Sequence, residues 1–177
     1  MSKVIIAIIA VLVAGLAGCL FIVLSGAFNV AAIEPDSAMT EWILHTTMRH
    51  SVAMRSSGIV APKSFSDEQV RDGFEEFNAM CVGCHGAPGK MRRAAGKGLR
   101  PRAPDLAQAA RSWESANLFW IVKNGIKMTG MPAFGPTHDD QTLWNLVAFV
   151  SHLPDITPEQ YKQMEEQAAG SGHKHEH

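Results

Sequence analysis

Two cysteines and a histidine stand close enough in this chain to act on one group: Cys81-Val82-Gly83-Cys84-His85. On a helical turn, two thiols separated by two residues can each add to one vinyl group of the same porphyrin. The next residue then lies beneath the ring. C-x-x-C-H is accordingly the attachment sequence of c-type haem, with His85 placed to ligate iron from the proximal side. Two other uses of a C-x-x-C pair lack their usual company here. A redox dithiol belongs in a strand–helix–strand context, and a zinc site needs a second Cys or His pair at suitable spacing.

A second axial ligand should come from downstream, where the chain reads Met128-Thr129-Gly130-Met131-Pro132-Ala133-Phe134. A thioether there would complete His/Met coordination and raise the reduction potential. Met131 precedes a proline, whose fixed φ and missing N–H stiffen the loop where iron needs a firm ligand. Core packing is the ordinary use of methionine, and Met128 remains a competitor for the role.

These residues need a scaffold, and the composition limits what it is. The chain has 177 residues, 46% hydrophobic, with 16 basic against 17 acidic side chains, eight His and three Cys. That suits one domain with appendages. It argues against a nucleic-acid binder, which would look basic, and against wholesale disorder. Three cysteines are too few for a disulfide framework. The mean hydropathy of −0.00 is high for a chain with 19% charged residues, because the apolar residues are concentrated from Val4 to Leu24. This uncharged run would span about 31 Å as a helix, close to the ~30 Å hydrocarbon core. A secretory signal has an apolar region of only ~7–15 residues, so residues 1–29 read as an uncleaved membrane anchor. Lys3 favours a cytoplasmic amino terminus, which puts the remainder in the periplasm. Two alternatives stay open. Leu16-Ala17-Gly18-Cys19 resembles a lipoprotein signal in which Cys19 is lipidated, and cleavage after Ala31 or Ala32 is conceivable.

Residues 30–65 should form a membrane-proximal helix and linker. Met39, Ile43, Leu44, Met48 and Val52 recur at helical spacing over 38–56, predicting an amphipathic helix near the membrane or against the domain. Trp42 suits an interfacial position, and His45 and His50 read as polar positions rather than ligands. Gly58 to Ser64 reads as a linker. Ser66 and Gln69 form a capping box that starts a helix running to Met80. Residues 86–111 look like a long loop. Ser112 should cap a helix through Val122 that Asn124-Gly125 closes, and Thr137 to Asp140 should start another that stops before Pro154. Thr157, Pro158 and Gln160 should open a short final helix within 156–177. Trp113, Trp120 and Trp144 fall in apolar helical stretches and read as core or pocket wall. No strand pattern appears, so the fold class is all-α.

Over residues 66–154 the chain resembles a class I c-type cytochrome. Gly73, Phe77 and Cys81 stand at the family's Gly-x-x-x-Phe-x-x-x-Cys spacing, and Leu146 and Phe149 match its apolar–aromatic pair on the last helix. Ala103-Pro104-Asp105-Leu106 resembles the loop whose proline carbonyl accepts the proximal histidine's Nδ1–H, which implies that Pro104 orients His85. Met131-Pro132-Ala133-Phe134 resembles the sixth-ligand loop. The resemblance implies a cytochrome c domain over 66–155 with one covalently attached haem c, transferring single electrons between redox protein partners. With both axial positions filled by protein, no substrate site remains on iron, so an electron carrier rather than an enzyme is implied. A fixed subunit of a membrane oxidase or dehydrogenase complex is one alternative. A haem sensor or peroxidase-like enzyme with a labile sixth ligand is another.

Two features depart from the family pattern. The 34–62 segment is foreign to the minimal fold. Lys90, Arg92, Arg93, Lys97, Arg100 and Arg102 place six positive charges and no acid over 90–102, leaving 10 basic against 17 acidic side chains elsewhere. That run is either a solvated loop, a docking face near the haem edge or a set of propionate partners. His173, His175 and His177 suggest metal binding, against the default of an exposed terminus.

Overall fold

The computed structural model describes residues 2–171, all-helical without strands among them. The chain divides into two compact units, Met1–Pro35 and Asp36–His177. In the first, α1 (Ser2–Ser25) buries none of its side chains and is long and apolar enough to cross a membrane. Cys19 lies exposed on it.

The second unit is organised by two helices that cross, α3 (Asp67–Met80) and α8 (Asp140–His152). Both are started by side-chain caps. Ser66 Oγ accepts from the Gln69 N–H at 3.2 Å while Gln69 Oε1 accepts from the Ser66 N–H at 3.1 Å. Asp139 accepts from the Thr142 N–H at 2.8 Å, and bonding to Thr142 holds its carboxyl below the usual value. Gly73 allows the crossing. A Cβ there would stand 1.9 Å from the Asn145 carbonyl oxygen, so any side chain would force the axes apart. Around this contact Phe77, Leu143, Leu146 and Phe149 are fully buried. Phe77 and Phe149 lie 5.0 Å apart by ring centroid, with Phe74 edge-on to Phe149 at 5.4 Å.

The last helix, α9 (Pro158–Ser171), covers this cluster. Thr157 and Gln160 cap it reciprocally. It is longer than the short helix read from sequence, because Tyr161 anchors it: the ring is 1% exposed and its hydroxyl donates to Asn78 Oδ1 at 3.0 Å. Burial raises that phenol's pKa.

Between α3 and α8 the chain departs from expectation. Residues 86–111 are not one open loop. Just after α4 (Val82–His85), they contain the short helices α5 (Ala94–Lys97) and α6 (Leu106–Ala109), then run into a 3-10 turn over Ala110–Ser112. Ser112 is not a helix cap. Its hydroxyl donates back to the Ala109 carbonyl at 2.9 Å, and α7 (Ser115–Asn124) starts at Glu114, whose backbone N–H is satisfied by Asn117. Gly125 closes α7, donating to Ile121.

The helix α2 (Ala38–Ser56) has the boundaries expected of it but not a single apolar face. Val52 and Ser56 are buried, against α7 chiefly. The Ser56 hydroxyl accepts from Asn117 Nδ2 at 2.6 Å. Arg49 lies 4.3 Å above the Trp113 ring and donates to the Ser112 carbonyl. Met39, Ile43 and Leu44 stay exposed. At 3.6 residues per turn, Met39 and Ile43 fall roughly half a turn from Val52, so the neighbouring three- and four-residue spacings never add up to one stripe.

Gly73→Ala should destabilise the haem-loaded protein by about 1–3 kcal/mol, as overpacking does, or roughly 4–8 °C of Tm per kcal/mol in a domain of this size. Thermal unfolding followed by circular dichroism measures this. An unchanged Tm would mean that the helices do not depend on this contact.

Candidate haem-attachment site

Cys81 ends α3 with its N–H bonded to the Phe77 carbonyl at 2.9 Å, and α4 begins at the next residue. The helical turn continues through the motif: the Cys84 and His85 N–H groups both donate to the Cys81 carbonyl, at 3.1 and 2.9 Å. Cys81, Cys84 and His85 are thereby carried on one turn, rooted in the α3–α8 core. Neither cysteine is in a disulfide; Cys81 is buried and Cys84 half-buried. Before any attachment, burial first, then the charges of Cys84 and Glu76, push the Cys81 thiol up to about 12. Gly96 of α5 rests on the motif, with a Cβ there falling 2.6 Å from Cys84 Cα.

His85 Nδ1 lies 2.9 Å from the Pro104 carbonyl oxygen. With Nδ1–H donating to that oxygen, Nε2 carries the lone pair for a metal. Burial lowers the His85 pKa, opposed by the Pro104 bond and reinforced by Arg92. The neutral imidazole is the ligating form. Pro104 is itself held, because Asp105 caps α6 by accepting from the Ala107 N–H at 2.9 Å and Leu106 packs on the core.

The two candidate methionines part company. Met128 has φ 60° and is 95% exposed. Met131 is half-buried and packs against the core. A small ring of bonds closes its loop. The Thr129 hydroxyl donates to the Ile126 carbonyl at 2.7 Å and accepts from the Met131 N–H at 3.0 Å, while the Ile126 N–H donates to the Met131 carbonyl at 3.3 Å. Beyond it, Phe134 and Gly135 donate to Val122 and Lys123 at the end of α7. Thr129 went unnoticed in the sequence, although a threonine two residues before a backbone N–H is a known turn-former.

Other candidates fall in different places. His45 and His50 are exposed on α2, and Trp120 is half-buried on α7. Trp113 carries Arg49 on its ring, and Trp144 stacks on Phe119 at 4.1 Å. The six basic residues are not alike. Lys90 is ion-paired with Glu165 of α9, and Arg92 Nε donates to the His85 carbonyl at 3.4 Å. Arg93, Lys97, Arg100 and Arg102 are exposed. Leu99, among them, packs on Gly130 beside Met131. The C-terminal histidines, His173, His175 and His177, lie outside the described residues.

Two thiols, an imidazole with Nε2 available and a core-facing thioether form a donor set that fits a covalently held haem. Among the described residues no three His, Cys, Asp or Glu side chains gather into a metal-binding cluster, so Cys81 and Cys84 find no zinc-site partners among them. Residues 68–150 match the family model described as cytochrome C oxidase, cbb3-type, subunit III. No curated protein and no solved structure matches the chain. The matched region is a monohaem class I c-type cytochrome domain. Its cofactor is covalently attached haem c, and a domain of this class is a haem-based electron carrier.

Thr129→Val removes two bonds of the Met131 loop, each worth ~1 kcal/mol. Amide hydrogen exchange over residues 126–131 should quicken roughly tenfold or more, with α3 and α8 unchanged. Equal exchange in both proteins would show that the ring of bonds does not hold the loop.

Proposed function

We propose that this chain is a membrane-anchored one-electron carrier with His85 and Met131 as the axial ligands of its haem iron and Cys81 and Cys84 as the thioether anchors. The observation that carries the reading is the pairing of His85 with Pro104 at 2.9 Å and of Met131, not Met128, with the core. The haem supplies a one-electron couple; the chain fixes, orients and shields it. Pro104 keeps the His85 ring in one tautomer, and the Thr129 ring of bonds holds Met131 in place. Phe77, Phe149, Leu143 and Leu146 keep water from the interior. The apolar length of α1 and Lys3 ahead of it support retention in the inner membrane with the cytochrome domain in the periplasm.

If Met131 ligates iron firmly, the ferrous protein should take up carbon monoxide poorly at neutral pH, and Met131→Ala should open the position. Met128→Ala should behave as the parent. Ready uptake by the unmodified protein would overturn this reading in favour of a sensor or peroxidase-like haem.

The family description favours a second reading, in which the same carrier is a fixed subunit of an oxidase complex. Either way, partners would meet the exposed charges of Arg93, Lys97, Arg100 and Arg102, which flank Cys84 and the Met131 loop through Gly96 and Leu99. Local charge of one sign steers association and raises rates by ~10-fold or more. Replacing these four residues by Glu should slow oxidation by anionic hexacyanoferrate(III) and speed it by cationic tris(phenanthroline)cobalt(III), both effects shrinking with salt. Rates that do not respond to the four substitutions would place the electron port elsewhere.

A further inference from the structure

The helix α2 is divided along its length. Its second half is docked on the cytochrome domain through Val52, Ser56 and Arg49. Its first half is not covered: Met39, Trp42, Ile43 and Leu44 are 70%, 68%, 46% and 62% exposed. A cluster of this kind on a folded domain marks an interaction site.

We infer that the first half of α2 lies in the headgroup region of the bilayer, so that α2 is a strut with lipid at one end and the cytochrome domain at the other. The inference rests on the reading that α1 spans that bilayer. Three observations favour lipid over a protein partner. The uncovered half is the one next to α1 in the chain, and only residues 26–37 separate the two helices. Those residues reach at most ~40 Å when extended, so the bilayer is present beside α2 at a high effective concentration while any protein must be recruited. The connecting stretch is itself apolar, with Phe28, Val30 and Ile33 61%, 87% and 83% exposed. The side chains also suit a membrane interface, where tryptophan is enriched and an apolar helix face sinks to the headgroup–acyl boundary.

The docked half turns that attachment into orientation. Arg49 over Trp113 and Ser56 with Asn117 are directional contacts, so a helix lying on the bilayer holds the domain in one attitude rather than on a free leash.

The full haem-loaded chain in nanodiscs containing phosphatidylcholine with a diazirine on its acyl chain tests this. After illumination, mass spectrometry should find label on residues 38–44 as well as on α1, and none on residues 90–102 or α9. Trp42→Glu with Ile43→Glu should remove the 38–44 label and leave that on α1. Label on α1 without label on 38–44 overturns the inference and spares the anchor; absence of label from α1 overturns the anchor reading and the inference with it.

Discussion

At Gly73 the backbone of α3 lies directly on the backbone of α8, where a Cβ would be 1.9 Å from the Asn145 carbonyl oxygen. Other features of the site follow from this one approach. Phe77 sits one turn further along α3 and meets Phe149 only because the axes are this close. Cys81 follows one turn later still, its N–H bonded back to Phe77. The position of the turn over residues 81–85 is therefore set by helix packing and transmitted along α3. A motif of five residues has no geometry of its own. It acquires one from the helix that ends in it.

The legible parts of the sequence were those in which one residue type has one physical job. The Ser66–Gln69 and Thr157–Gln160 boxes, the spacing of Gly73 and Phe77 on α3, and the charge-free run that forms the helix α1 each state their local structure. Legibility failed where two jobs compete for the same residue. Ser112 had the right chemistry for a cap, but its hydroxyl bonds back to Ala109 and Glu114 starts the helix instead. The loop 86–111 hid three helical pieces too short for any periodicity to show. In α2 the apolar spacings were real, yet they described two opposed surfaces, because pairwise spacing carries no information on the direction in which a neighbour lies.

Charge shows the same limit of counting. The run from 90 to 102 contains six cations in the sequence, but folding assigns them different work. Lys90 meets Glu165 on α9, and Arg92 turns inward to the carbonyl of His85. Those two are structural, holding the chain just after the haem motif. The remaining four are exposed and, among the described residues, in no ion pair, free to act at a distance. The long-range field a partner would feel is thus smaller than the composition implies, and better localised, since Gly96 and Leu99 tie this stretch to Cys84 and to the Met131 loop.

The family match ends at Val150, before α9, and begins after α2. These flanking helices do different things to the same core. Tyr161 and the Lys90–Glu165 pair draw α9 across the aromatic cluster and tie it to the segment that follows His85. By contrast, α2 touches the domain along half its length and leaves its other half uncovered. A carrier that must visit distant partners gains from a long flexible tether, whereas one that serves a neighbour in the same membrane gains from a fixed attitude, because fewer orientations have to be searched at each encounter. Directional contacts such as Arg49 on Trp113 and Ser56 with Asn117 restrict rotation and bring no benefit to a roaming carrier. With the first half of α2 on the bilayer, as inferred above, they would serve the stationary arrangement.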